Sequence, residues 1–287
     1  MTHFQVAFTT FHDEPQLNKA DELGAEALAA FGVQVSAVVW DEADVDWSAY
    51  DAVVLRACWD YHRKRPQFMA WLEQVDQDTQ LINPLETVLG NMHKTYLREM
   101  EQQGAQILPT VWLEAGQELD LAALLEEQAW DQVVIKPTVS LSAENTWRSS
   151  PSQAAEHQAR FADLLATRDM MVQQFAPHIM DEGEYSLLFF NGEKAVYSHT
   201  SLKRPASGDF TIQSGTWSGV PTDADMLATA WEIINLIEGD WVYARVDGVR
   251  HQGQFALMEL ELIEPYLYLE DHPDAAQQFA RALRSRL

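Results

Sequence analysis

The chain of 287 residues has a single cysteine, Cys58, so neither an intramolecular disulfide nor a cysteine-built zinc site can form. A lone thiol of this kind is expected simply to be buried. Basic residues are scarce as well: 19 Lys and Arg stand against 44 Asp and Glu, a net charge of −25. Such a field opposes binding to nucleic acid or to an anionic membrane, and there is no basic stripe. Any anionic ligand must therefore be gathered by a local cluster of cations, which makes each lysine and arginine informative. No apolar run is long enough to span a bilayer, and "MTHFQVAFTTFHDE" reaches acidic residues too early for a signal peptide. A cytoplasmic location is expected, with no membrane or nucleic-acid partner and with homo-oligomerisation left open. Walker A, dinucleotide glycine and HExxH patterns are all missing, as are repeats, low-complexity tracts and linkers.

What is present begins as alternating strands and helices. "FQVAFT", "VQVSAVVW", "DAVVLRACW" and "QLINP" read as strands, with helices over "DELGAEALAAFG" and "PQFMAWLEQV", the pattern of a small parallel sheet. "RACWDY" follows the third strand at its carboxyl end, where such sheets gather ligands, so Arg56, Trp59, Asp60 and Tyr61 are candidate substrate contacts. For each of these except Arg56, packing of the loop on its own domain is the favoured alternative. A helix over "NMHKTYLREMEQQG" is expected next, then strands "ILPTVWL", "VVIKPTVS" and "MMVQQFAP" separated by two helices. After Pro177 the texture becomes α+β. Asn191-Gly192 marks a hairpin, "DMLATAWEIINLI" a helix, "RHQGQ" a second hairpin and "AAQQFARALRSRL" a closing helix.

In "FALMELELIEP", strand alternation puts Ala256, Met258, Leu260 and Leu262 on one face and Phe255, Leu257, Glu259, Glu261 and Ile263 on the other. The second face turns from apolar to acidic midway, unlike a strand that simply meets water. Two carboxylates about 5 Å apart repel by roughly 3 kcal/mol at an effective dielectric of about 20. Either a nearby cation or solvation at a sheet edge would relieve this. A three-residue loop, Gln252-Gly253-Gln254, would set Asp247 opposite Glu259 and Arg245 opposite Glu261, whereas a two-residue loop would turn Asp247 away. Glu264, beyond the alternation and beside Pro265, reads as a loop anchor or a substrate contact.

Two lysines, Lys94 and Lys136, a small-residue loop "PTVSLSAENT" and a distant carboxylate cluster are what a nucleotide triphosphate and its magnesium require. The segments "LRACWDY", "INPLETVLGNMHKTYLREM", "VVIKPTVSLSAENTWR", "VQQF", "GEYSLLFFNGE", "KRPASGDFTIQ" and "YARVDGV" with "MELELIEP" occur in the order of a known family. The chain resembles the ATP-grasp superfamily, in its glutathione-synthetase-like branch that includes the D-cycloserine-forming synthetase. The resemblance covers nearly the whole chain. It implies a mixed α/β and α+β fold: an N-terminal parallel-sheet pre-ATP-grasp domain (1–90), then a central (91–175) and a C-terminal (176–287) α+β domain clasping ATP.

By resemblance, Lys94 and Lys136 meet the α- and β-phosphates, Gln173, Gln174 and Phe175 form the hinge against adenine, and Glu184 contacts ribose. Lys203, with Arg204 as the other choice, is directed at the terminal phosphate, and Arg245 stabilises oxyanions. Asp247, Glu259 and Glu261 match the ligands of Mg²⁺, or of Mn²⁺ in its place. The chain departs from the family pattern in several places: the phosphate loop is poor in glycine, Thr211 replaces an arginine common after "GDF", and Glu261 replaces a frequent asparagine. "SGTWSG" also replaces a more glycine-rich run. His93 and His199 lie near the implied cleft and are expected to be structural, because the chemistry demands no histidine base. The resemblance implies a ligase or cyclo-ligase that activates a carboxylate of an amino-acid-like molecule as an acyl phosphate, with no covalent protein nucleophile. Its rivals are a ligase joining two separate molecules and a nucleotide-binding sensor or scaffold without catalysis.

Overall fold

The computed structural model describes residues 3–207, 209–211 and 215–287. Gly208 and Ile212 to Ser214, within the "KRPASGDFTIQ" and "SGTWSG" segments, lie outside the described residues. The first apolar runs form β1 (Phe4–Thr10), β2 (Val33–Val39), β3 (Ala52–Val54) and β4 (Gln80–Ile82), parallel throughout and ordered β2-β1-β3-β4. Between them run α1 (Lys19–Ala29), opened by Asn18 accepting from the Asp21 amide, and α2 (Arg65–Asp78), with Pro66 in its first turn. β3 is shorter than its apolar run because the Arg56 amide donates to the Thr9 hydroxyl and the chain leaves the sheet.

The helix expected over residues 91–104 is realised only as α4 (Tyr96–Gln102), with a separate α3 (Leu85–Asn91) before it. The break falls at Lys94, whose amide donates to the Thr138 carbonyl (2.9 Å), so Lys94 occupies a turn and not a helix face. The central region follows with β5 (Thr110–Leu113), α5 (Leu121–Gln128), β6 (Val133–Pro137), β7 (Trp147–Ser149), α6 (Ala154–Leu165) and β8 (Met170–Gln174). Its sheet is antiparallel in the order β5-β8-β6-β7, and the short β7 has no counterpart in the sequence reading. Val133, Ile135, Phe161, Leu165 and Val172 form a core of its own.

After α7 (His178–Asp181) come β9 (Glu184–Asn191), β10 (Ala195–Arg204), β11 (Thr216–Val220), α8 (Ala224–Ile234), β12 (Tyr243–His251), β13 (Gln254–Glu261) and α9 (Ala275–Arg284). The strands make an antiparallel sheet ordered β11-β10-β9-β12-β13. Asn191 pairs with Ala195, so Asn-Gly opens a three-residue turn instead of forming a two-residue one. α9 returns to the first sheet, and Val6, Phe8, Leu188, Phe190, Tyr243 and Phe279 share one core. No helix among the described residues is long and apolar enough to cross a membrane.

The β12–β13 hairpin departs from expectation in its means and agrees in its result. His251 pairs with Gln254, leaving the two-residue loop Gln252-Gly253 with φ of 51° and 82°, the conformation of a type I′ turn. That loop alone would turn Asp247 away from Glu259. The pairing, however, shifts from Gly248 opposite Leu257 to Asp247 opposite Glu259, so Met258 is an inserted bulge residue. Arg245 then faces Glu261. Gly248 makes the close approach possible, since a Cβ there would lie 2.5 Å from the Ala256 oxygen and 2.5 Å from the Phe255 ring. The bulge also exchanges faces: Phe255, Leu257, Leu260 and Leu262 all enter one core, while Glu259 and Glu261 line a cavity. The midway change from apolar to acidic is the trace of this bulge.

Candidate active site

A cavity of about 650 Å³ lies between the central sheet and β12–β13, with Trp59 of the N-terminal region at its margin. One end is apolar. Leu108, Val134, Phe175 and Met258 line it, and the Arg148 guanidinium stacks 4.0 Å from the centre of the Phe175 ring. The amides of Gln174 and Phe175 donate to the carbonyls of Pro109 (2.8 Å) and Gln132 (2.9 Å), and the Gln173 side chain donates to Thr110 (3.1 Å). The hinge expected over residues 173–175 therefore borders the cavity with these amides already engaged.

The other end is charged. Lys203 is buried between Asp247 (3.1 Å) and Glu184, while Arg204, the alternative basic residue, is exposed. Burial opposes the Lys203 charge, but Asp247 and Glu184 outweigh it and hold the ammonium above its ordinary range. Glu184, expected at the ribose, sits deep against this lysine, and burial raises its own carboxyl. Both oxygens of Asp247 are occupied: Ser186 (2.5 Å), Arg245 (2.9 Å from Nη2) and Lys203 all donate to it. Burial would raise Asp247; Arg245 and Lys203 instead hold it at about 2. Arg245 also donates to Glu261, whose carboxyl burial pushes up to about 8, with Asp247 and Glu259 adding to the rise. Lys94 bridges Glu259 (3.0 Å) and the Ser140 carbonyl (2.7 Å). Lys136 is half-buried in the cavity with no ion pair or hydrogen bond from its ammonium to the described residues, and burial lowers it from its ordinary value.

Among the described residues no three acidic, histidine or cysteine side chains converge into a ready-made metal cage. Asp247, expected as a metal ligand, is taken by cations. Glu259 and Glu261 face the cavity from nearby positions on β13 with hard oxygen donors only. Magnesium is commonly held by one or two carboxylates together with phosphate oxygens, and this pair fits that mode.

The expected substrate contacts separate. Arg56 is buried away from the cavity: it pairs with Asp21 (2.7 Å), stacks over Tyr243 (5.2 Å) and donates to the Pro265 carbonyl. Asp60 accepts from Trp40 (2.7 Å) and Lys64 (2.7 Å), and Tyr61 stacks on Phe68 (4.6 Å). These three are corrected from ligand contacts to structural groups: Arg56 and Asp60 have their charges paired, and the Tyr61 ring packs on Phe68 outside the cavity lining. Trp59 alone of the four lines the cavity. Cys58 is buried beside Thr9, and His93 is held by Thr95 and Thr138 (both 2.9 Å), as expected of structural groups. Thr211 borders the cavity with its hydroxyl on Asp209 (3.0 Å).

One arrangement has no forerunner in the sequence reading. From residue 262 to residue 267, six successive carbonyls each meet a donor from a different side chain. Asn83 donates to Leu262 (2.8 Å), Trp59 to Glu264 (3.1 Å), Arg56 to Pro265 (2.7 Å), Arg245 to Tyr266 (3.0 Å) and His199 to Leu267 (3.1 Å). The Tyr243 hydroxyl lies 3.0 Å from the Ile263 oxygen and shares its one proton with the carbonyls of Leu55 and Ile82. His199 is thereby the Nε2-protonated tautomer, and burial lowers its pKa to about 4. The loop between β6 and β7 is fastened differently. Ser142, Ala143 and Asn145 adopt the left-handed backbone (φ 53°, 53° and 56°) that glycine would otherwise supply, and Glu144 accepts from Arg63 (2.7 Å) and lies 2.9 Å from His62 Nε2.

Comparison with known proteins identifies the family and the fold. Residues 6–83 match the family described as the N-terminal domain of D-cycloserine synthetase DcsG. The chain is 32% identical over 283 residues to the cycloserine biosynthesis protein DcsG of Streptomyces lavendulae, covering 91% of this chain and 92% of that one. The crystal structure of D-cycloserine synthetase DcsG superposes with a TM-score of 0.87 at 28% identity, over 98% of this chain and 99% of its own. Two more distant structures share the fold. One is a D-alanine–D-alanine ligase from Bacillus anthracis complexed with ATP (TM-score 0.68, 14% identity, 98% and 95% covered). The other is the ATP-grasp ligase PsnB complexed with a minimal precursor, Mg and ADP (TM-score 0.62, 11% identity, 98% of each chain). Fold, site and likeness together lead to one conclusion: the chain is an ATP-grasp ligase and belongs to the family of D-cycloserine synthetase DcsG.

Proposed function

We propose that the protein uses ATP to activate the carboxylate of an amino-acid-like substrate as an acyl phosphate, which an amine of the same or a second molecule then displaces. ADP and phosphate are the other products. The observation that carries this reading is Lys136, a half-buried ammonium with no ion pair among the described residues, in one cavity with Lys94, Lys203 and Arg245. A cation desolvated without a partner calls for an anionic ligand, and the apolar slot beside it suits a flat base.

In this reading residues 91–175 and 176–287 clasp the nucleotide, with adenine between Val134 and Met258 beside residues 173–175. Lys94 and Lys136 meet the inner phosphates and Lys203 the terminal one. The substrate carboxylate attacks the γ-phosphorus and the bond to ADP breaks. The amine then attacks the acyl carbon, phosphate leaves, and Arg245 stabilises the oxyanion formed there. Asp247 aims Arg245 and Lys203, while Glu259 and Glu261 would hold magnesium, which neutralises phosphate oxygens when bound; manganese would serve in its place. The loop between β6 and β7 excludes water from the acyl phosphate. Residues 1–90 carry the substrate side. The DcsG relatives are named for cycloserine synthesis, which favours ring closure over joining two molecules.

The test places a heavy-oxygen label in the carboxylate of a candidate substrate and follows both ADP release and the products by mass. Label appearing in the released phosphate is expected, with one product mass for ring closure and another for ligation. Arg245→Met should lower kcat by about 10²- to 10³-fold while ATP still binds. ADP release without label in the phosphate overturns the acyl-phosphate reading.

A further inference from the structure

We infer that Glu264 is the binding site for the substrate's ammonium group, so that this ligase selects acids bearing a free amine; the inference rests on the amino-acid-like reading above. Glu264 is 4% exposed, lines the cavity, and has no hydrogen bond or ion pair from its carboxylate to any described residue. Every other carboxylate named at the charged end has a cation: Glu184 and Asp247 have Lys203, Glu259 has Lys94, and Glu261 has Arg245. A buried carboxylate left without a partner is costly unless a ligand supplies one.

The geometry around it is fixed. The six carbonyls from 262 to 267 each meet a side-chain donor, so the backbone carrying Glu264 cannot easily turn its side chain elsewhere. Tyr266 and Tyr268, two and four residues on, have ring centres 4.9 Å apart, and Trp217 lies about 6 Å from both. All three line the same cavity, and Trp217 is 48% exposed. Aromatic faces beside a carboxylate favour an organic cation over an anion or a neutral group. Arg245 lies over the Tyr268 ring, 5.7 Å from its centre, and with Lys203 lines the same cavity. An α-amino acid held by its ammonium at Glu264 would direct its carboxylate toward them.

The full-length protein, loaded with a non-hydrolysable ATP analogue and Mg²⁺, would be titrated calorimetrically with alanine and serine of both hands. Propionate and 3-hydroxypropionate, which lack the amine, are the controls. At least one amino acid should bind, and the matching desamino acid should bind about 50-fold or more weakly. Glu264→Gln should lose the same factor for the amino acid, Glu264→Asp should recover part of it, and the affinity of both variants for the ATP analogue, which also reports folding, should be unchanged. Equal binding of desamino acids, unchanged amino-acid affinity in Glu264→Gln, or no binding of any amine-bearing acid by protein that binds the analogue overturns the proposal. The acyl-phosphate reading fails separately, if an amino acid binds through Glu264 and ATP turnover puts no carboxylate label into phosphate.

Discussion

The two walls of the cleft are built differently. The C-terminal sheet is continuous with the N-terminal one through a single core, in which Val6 and Phe8 meet Leu188, Tyr243 and Phe279. Buried polar ties reinforce it: Arg56 joins Asp21 to the Pro265 carbonyl, and Asn83 donates to Leu262 and accepts from the Val242 amide (2.6 Å). The central sheet also has a core of its own, and it meets the C-terminal sheet through Met171 and the partly buried Trp112 and through a smaller cluster in which Val134 and Phe175 join Val249 and Ala256. Its loop over the cavity is fastened by Lys94 and by Glu144 with His62 and Arg63, in part at the surface. Arg245, Asp247 and Glu264 lie on the fused wall. Lys136 and the loop between β6 and β7 lie on the other.

The comparison breaks first at Arg56. Arg56→Ala strands the buried Asp21 carboxylate and frees the Pro265 carbonyl, and should cost about 3 to 5 kcal/mol. Urea unfolding would read this as a lower midpoint; a midpoint equal to the native one would mean that the two sheets are not tied there. His199 tests the same wall by pH. Its folded pKa of about 4 lies below the ordinary 6.5, so the folded state binds fewer protons between these values and stability falls as pH drops. The contribution is whole above pH 6.5 and declines by on the order of 3 kcal/mol toward pH 4. His199→Gln, which retains a donor for the Leu267 carbonyl, should flatten that part of the profile. The smallest effect belongs to the other wall. Glu144→Gln should leave the unfolding midpoint in place and raise the KM for ATP by on the order of fivefold, because partly exposed charge pairs contribute little to folding. A large loss of stability in this variant would show the central wall to be fused as well.

Much of the site was legible because its chemistry is carried by residue type and order. Residue type and order singled out Lys94, Lys136, Lys203, Arg245, Glu259 and Glu261, and these six line one cavity. The strand-end rule failed for Arg56. It places a residue near a ligand site without saying whether Asp21, 35 positions earlier, has already claimed its charge. β7 and β11 were missed because three to five residues with serine, threonine or glycine carry no periodic signal of their own. The bulge was detectable in principle: an isolated glycine inside a strand pattern, here Gly248, is a known sign of one.

By itself the sequence determined the succession of strands and helices, the excess of acid that makes each cation count, and the ammonium and carboxylate groups available to the cavity. These are properties of composition and of local period. Only the tertiary structure decided which way the side chains of β13 face, since the extra residue at Met258 is absorbed by pairing with a strand across the hairpin and reverses a period-two alternation. It likewise decided that the Glu264 carboxylate has no partner among the described residues while its neighbours are paired, on a loop held by donors from positions as far away as Arg56, Asn83 and His199.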